Sequence, residues 1–239
     1  MKIYLIPCPI SDYQANDTIP EEVKIILPNT KHFLVENIRS ARRYISSLKL
    51  GIVMNDLNFE ILNKNSNYPQ TASILKNWSS QGIQQIGIIS EAGCPGIADP
   101  GALAIEIAHK MNFEVLPLVG PSSIFLSLMA SGFNGQSFAF HGYLPIDKKE
   151  RKSALEFLHK KMSQTGQTQI FMETPFRNNA ILSDILLSLP GSTPLCIACD
   201  IKSENGFVQT KELKDWKNQV PDLHKKPCLF LIGKIGQNA

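Results

Sequence analysis

The run Ser90-Glu91-Ala92-Gly93-Cys94-Pro95-Gly96-Ile97-Ala98-Asp99-Pro100-Gly101 constrains this chain more than any other segment. It follows an isoleucine-rich stretch, 86–89, that reads as a buried strand, and it precedes a helical pattern over 102–110. Its three glycines open backbone conformations closed to other residues, and its two prolines stiffen the turn without donating hydrogen bonds. Strand, Gly/Pro-rich loop and helix make the first half of a βα unit, and ligands of open α/β sheets sit at the carboxyl ends of the strands. Such a loop either turns the chain or holds a ligand. In the second case Asp99 would face the crevice.

The same alternation runs through the rest of the chain. Short β-branched and aromatic runs at 3–6, 32–35 and 115–119 predict strands, separated by helices over 40–48 and 71–79. The rhythm restarts near Gly120-Pro121, with helices predicted over 123–130, 148–162 and 178–189. Strands are predicted over 137–140, 169–172, 195–198, 206–210 and 228–232, giving a mixed sheet. We therefore expect an N-terminal α/β domain over 1–119 and a C-terminal α/β domain over 120–239, both large enough for a core.

Composition removes several function classes. A net charge of +3 permits a nucleic-acid partner without demanding one. Five cysteines, an odd number spread along the chain, do not form the framework of a small secreted domain and suit a reducing cytosol. The opening apolar run is too short for a secretory signal, and nothing approaches the roughly 20 apolar residues of a membrane helix, so a soluble cytoplasmic protein with no membrane partner is expected. The dinucleotide Gly-x-Gly-x-x-Gly turn, the P-loop and the His-Glu-x-x-His zinc pattern are absent. Cys196-Ile197-Ala198-Cys199 has redox or half-zinc spacing, but no second pair follows and its alternation within a strand favours packing; no metal is expected.

The 90–101 segment, with Gly120-Pro121-Ser122 and Gly142-Tyr143-Leu144-Pro145, resembles the ribosomal RNA small subunit methyltransferase I family, of the tetrapyrrole methylase-like superfamily. The resemblance covers most of the chain in element order, and its specific motifs lie between Ser90 and Arg177. It implies the class III fold, two α/β domains with S-adenosylmethionine bound in the cleft between them by backbone atoms of Gly/Pro loops. It also implies S-adenosylhomocysteine as product, RNA as partner with the small ribosomal subunit among the candidates, and a homodimer. Carried over by residue, the cofactor contacts are Pro9, Ile10, Ser11, Gly93, Cys94, Pro95, Ala98, Asp99, Pro100, Gly120, Pro121 and Ser122. Glu173-Thr174-Pro175-Phe176-Arg177 matches a family segment that adds Glu173 and Thr174. Glu173 could accept from a cofactor amine or ribose and Arg177 could bind phosphate or carboxylate, or the two could pair with each other.

Two departures mark a divergent member. The family's first loop runs close to Ala-Thr-Pro-Ile-Gly-Asn-Leu, whereas Ile6-Pro7-Cys8-Pro9-Ile10-Ser11-Asp12 keeps only Pro-Ile and has Ser11 for the glycine. The family's Ala-Glu-Asp-Thr-Arg is here Val35-Glu36-Asn37-Ile38-Arg39, which keeps Glu36 and Arg39 and places them on the acceptor side. A ribose 2′-hydroxyl acceptor is so weakly acidic that it calls for a base, for which Glu36 and Asp99 are the candidates, with Glu91 as a further acid. Lys148, Lys149, Arg151 and Lys152, followed by Lys160 and Lys161, are expected either to contact RNA or to form the wet face of a helix. Arg42 and Arg43 could extend that patch or be solvated. The alternatives are a tetrapyrrole or other small-molecule methylase, which predicts a large apolar pocket, and a non-catalytic S-adenosylmethionine-binding scaffold.

Overall fold

In the computed structural model, which describes residues 1–11 and 15–236, the chain divides into two units, Met1–Ser122 and Ser123–Ala239. The first unit runs β1 (Lys2–Ile6), α1 (Glu21–Ile26), β2 (His32–Val35), α2 (Ile38–Ser47), β3 (Asn58–Ile61), α3 (Tyr68–Ser80), β4 (Gln85–Ile89), α4 (Gly101–Lys110) and β5 (Glu114–Pro117). Its five strands are all parallel, in the order β3-β2-β4-β1-β5. Both faces are covered, which is why the inner strands read as continuous apolar runs rather than alternating ones. Ile6, Phe33, Val35 and Ile89 pack with Ala41, Tyr44 and Ile45 of α2. Ile3, Leu34, Ile86 and Ile88 face Leu75 and Trp78 of α3 and Ala104, Ile107 and Ala108 of α4.

β1 and β4 are neighbours, with Ile6 opposite Ile89. The chain leaves β1 toward β2 on one side and leaves β4 toward β5 on the other. Their following loops therefore part at the carboxyl edge of the sheet, the topological switch point where open α/β sheets take ligands.

The second unit runs α5 (Ser123–Ser131), β6 (Phe138–Tyr143), α6 (Lys148–Thr165), β7 (Thr168–Glu173), α7 (Asn178–Ser188), β8 (Pro194–Cys199), β9 (Phe207–Glu212), α8 (Leu213–Asn218) and β10 (Cys228–Ile232). Its sheet has the order β6-β7-β10-β8-β9, parallel only between β6 and β7. Leu155 and Leu158 of α6, Ile181 and Ile185 of α7 and Trp216 of α8 bury one face against Phe171, Ile197 and Phe230. Leu128 of α5 packs on the other against Ile170, Cys196 and Leu231. Cys196 and Cys199 thus point to opposite faces, both buried as packing residues, and Cys199 lies opposite Cys228. Among the described residues no helix is long and apolar enough to cross a membrane.

Three local features differ from the sequence expectation. β3 and α1 were not predicted: β3 is a short edge strand with mostly exposed side chains, and α1 buries only Val23, so neither leaves a strong period. α2 and α3 begin earlier than expected because Asn37 and Asn67 cap them. Asn37 Oδ1 accepts from Arg39 N and Ser40 N at 2.9 and 3.3 Å, and Asn67 Oδ1 from Gln70 N at 3.1 Å. Gly142 and Tyr143, read as a loop, lie within β6, where the register shifts and Gly142 takes φ 64°, as at a β-bulge.

Candidate active site

Three loops of the first unit meet at the switch point. Cys8 N donates to Gly93 O at 2.8 Å and Gly93 N to Cys8 O at 3.1 Å, so the loops after β1 and β4 are joined by a two-bond bridge. Gly93 holds φ 72°, and a β-carbon there would lie 3.5 Å from Pro121 O and 3.7 Å from Ile10 Cγ2. The loop after β5 closes on both others: a β-carbon on Gly120 would overlap the Pro7 ring, and the Cys94 thiol faces Pro121 O at 3.4 Å. Pro9 to Ser11, Gly93 to Pro95 and Gly120 to Ser122 are in this way held side by side.

Sequence reasoning missed the residue that anchors the first of these loops. Tyr44 is buried on the inner face of α2, and its hydroxyl donates to Pro7 O at 2.7 Å. Burial pushes its phenol up, so it stays a donor. The signal was present in the sequence as a tyrosine on the apolar stripe of a helix, since a buried tyrosine hydroxyl needs a partner.

The carboxylates divide by what they touch. Both Asp99 oxygens accept from Gly96 N at 2.9 Å, and Oδ1 also takes Gly101 N at 2.6 Å. Between them Ala98 is left-handed, φ 59°. Asp99 therefore clips its own loop shut; burial raises its pKa while the backbone N–H groups oppose the rise. Glu36 is half-buried at the end of β2. Its Oε1 accepts from Glu91 N at 3.1 Å, while Oε2 has no donor among the described residues. Burial holds its pKa above the usual carboxylate range, opposed by the Glu91 N–H and reinforced by the charges of Asp99 and Glu91. Glu91 Oε2 accepts from Ser40 Oγ at 3.0 Å. Arg39 is exposed, and its guanidinium has no partner among the described residues.

In the second unit the two readings of the 173–177 segment are resolved. Glu173 Oε1 accepts from Thr174 N at 2.6 Å and from Arg177 Nη2 at 2.5 Å, and Arg177 Nε donates to Thr174 Oγ1 at 3.2 Å. The Glu173 side chain is 1% exposed, so the pair is internal and shapes the turn into α7. The basic run splits as well. Lys148, Lys149 and Lys152 are exposed on the first turns of α6, behind the Asp147 cap. Arg151 points inward: Nε and Nη2 bind Asp184 Oδ2 at 2.8 and 2.5 Å, and Nη1 binds Pro145 O and Ile146 O at 3.2 and 2.6 Å. All three guanidinium nitrogens are occupied, which removes Arg151 from the RNA-contact set.

Known proteins are similar to this chain in sequence and in fold. The ribosomal RNA small subunit methyltransferase I of Vibrio cholerae serotype O1 is 28% identical over 233 residues, covering 96% of this chain and 76% of that protein. The Bacillus subtilis protein of the same name is 27% identical over 239 residues, covering 97% and 75%. Over nearly its whole length the chain is similar to proteins named ribosomal RNA small subunit methyltransferase I. No family model matches it. Among solved structures, the uroporphyrin-III C-methyltransferase of Thermus thermophilus in complex with S-adenosylhomocysteine superposes with a TM-score of 0.57 at 14% identity, covering 98% of each chain. The native form of the Thermus enzyme gives 0.59 at 13%, again over 98% of each. At that identity the likeness shows the fold, that of class III methyltransferases. The Thermus enzyme of that complex holds S-adenosylhomocysteine, an adenosine joined through sulfur to an amino acid.

The loops of the first unit fit that group chemically. They offer main-chain atoms and exposed small or apolar side chains, Ala92, Ile97, Ala98 and Val119, and among the described residues their charges are all acids, Asp17, Glu91 and Asp99. Such a surface suits an adenosine with an uncharged or cationic sulfur and repels a triphosphate. Because the Pro7 ring occupies the space beside Gly120, Gly120→Ala must push the first and third loops apart. A loss of S-adenosylmethionine affinity of about tenfold is expected by calorimetric titration, with the far-UV circular dichroism spectrum unchanged.

Proposed function

We propose that the protein methylates RNA, and specifically a ribose 2′-oxygen of small-subunit ribosomal RNA. The relatives named for that RNA support the substrate. The observation that carries the reaction is Glu36, a carboxylate at the switch point, held above its usual pKa, with one oxygen committed to Glu91 N and the other open. Bound S-adenosylmethionine supplies a methyl group already activated by its sulfonium. The chain then has three tasks: holding the acceptor in line, excluding competing geometry and removing a proton. Glu36 Oε2 would take the 2′-hydroxyl proton as the oxygen–carbon bond forms and the sulfur–methyl bond breaks, with S-adenosylhomocysteine as the leaving group. Asp99 fixes the loop from Gly96 to Gly101 and is a positioning residue. Pro9 to Ser11, Gly93 to Pro95 and Gly120 to Ser122 form the cofactor wall, and Lys148, Lys149 and Lys152 neutralise RNA phosphates. Arg39 lies on the acceptor side.

Titration of cofactor-free protein with S-adenosylmethionine tests the first half of this reading, with near-equimolar binding expected. Incubation of small ribosomal subunits with protein and methyl-labelled S-adenosylmethionine tests the second. Label should enter the RNA at a position that resists alkaline cleavage, because a methylated 2′-oxygen cannot attack its neighbouring phosphate. Binding without transfer to any RNA would favour the scaffold reading instead.

A further inference from the structure

A cavity of about 610 Å³ opens at the carboxyl ends of β1 and β4, between α2 and the loop that begins at Ser90. Ser40, Arg43 and Ser47, spaced along one helical stripe, form one wall; Glu91 and Asp17 contribute carboxylates, and Cys8 lies at its base. The volume is in the range of small-molecule sites. We propose that this cavity is the subsite for the acceptor nucleotide, with Arg43 on its phosphate and the carboxylates on its hydroxyl and ring N–H donors. The proposal rests on the RNA reading above and sharpens it.

The charge inventory carries the choice of ligand. Among the described residues the lining holds one guanidinium and two carboxylates. A polycarboxylate tetrapyrrole would bring many negative charges to a lining that is already acid-rich and, among the described residues, has one cation to meet them. A nucleotide brings one phosphate, which the planar fork of Arg43 matches, together with several neutral donors for Glu91 and Asp17. Arg43 is available for this, because it is exposed and has no partner among the described residues. Its neighbour Arg42 is committed to the fold, donating to Met54 O at 3.0 Å and lying 5.7 Å from the centre of the Phe59 ring. The cavity is also next to the proposed base, since Glu91 lines it and donates its own N–H to Glu36. A ribose held against Glu91 is thereby brought toward Glu36.

Two variants at exposed positions test the subsite without disturbing the core. Arg43→Ala removes the phosphate contact, and Ser47→Trp fills the cavity. Each is expected to raise KM for the RNA about tenfold with the S-adenosylmethionine Kd unchanged, and Ser47→Trp, which displaces the acceptor ribose, is expected to lower kcat as well. Arg43→Ala should also reduce the slope of log affinity against log salt by about 0.7 to 0.9, the loss of one phosphate contact. An active parent with both variants unchanged in KM and in salt slope overturns the subsite and leaves the RNA reading standing. A parent that binds S-adenosylmethionine but methylates a porphyrinogen and no RNA overturns the RNA reading, and the subsite with it.

Discussion

Glu36→Gln is expected to lower kcat by about 10²- to 10⁴-fold, the range for loss of a positioned general base, with S-adenosylmethionine binding retained. The amide oxygen can still accept Glu91 N–H, so the loop contact survives and only the proton acceptor is lost. Stability should move the other way. Burial raises the folded pKa of Glu36 above the ordinary 4.5, so the folded state holds this proton more tightly than the unfolded chain does. The stability contributed by Glu36 is therefore complete below about pH 4.5 and is lost as pH rises through the folded pKa. At neutral pH its charge is a destabilising presence, and the neutral amide should leave Tm unchanged or higher. The parent's kcat should climb as pH passes the raised pKa and then level, while the residual rate of Glu36→Gln should lack that rise. Full activity in the variant, or a clear fall in Tm, would remove Glu36 as the base.

Arg151→Ala should destabilise the second unit by about 3–5 kcal/mol, as removal of one partner from a buried ion pair does. The Arg151 and Asp184 side chains are 11% and 10% exposed, so the variant strands a carboxylate and frees two carbonyls, of Pro145 and Ile146. Lys148, Lys149 and Lys152 present the opposite case. Their pairs are exposed or long, Lys148 to Asp184 at 4.0 Å and Lys152 to Glu156 at 3.8 Å, and exposed pairs contribute under about 1 kcal/mol each. Replacing these three lysines with alanine should leave denaturant unfolding almost unchanged while weakening RNA binding and lowering its salt slope by about two. Arg151→Ala proving stable but weak for RNA would return that guanidinium to the RNA-contact set.

Much of the framework was legible because it is encoded over short distances. The apolar run at 86–89 and the Gly/Pro loop behind it predicted a strand with a tight loop at its end, and β4 and the bridged Gly93 loop have that form. The two α/β sheets of the class III fold follow from the same periodicities together with the resemblance. β3 and α1 escaped because an edge strand and a six-residue helix bury too little to imprint a period. Among the acids, Asp99, Glu36 and Glu173 were alike in sequence, each a carboxylate at or beyond a predicted strand end.

By itself, then, the sequence determined the order of all the strands and longer helices but the edge strand β3, the glycines and prolines of three special loops and the resemblance of the chain to known proteins, because each is written in neighbouring residues. Only the tertiary structure decided which charges are free. Asp99 bends onto Gly96 and Gly101, Glu173 locks to Arg177 and Arg151 buries itself on Asp184, while Glu36, Arg43 and Lys149 keep side-chain atoms unpaired among the described residues. The physical reason is distance: a charge is satisfied or available according to donors and acceptors within about 3 Å. Donors from another turn or strand are brought that close only by folding.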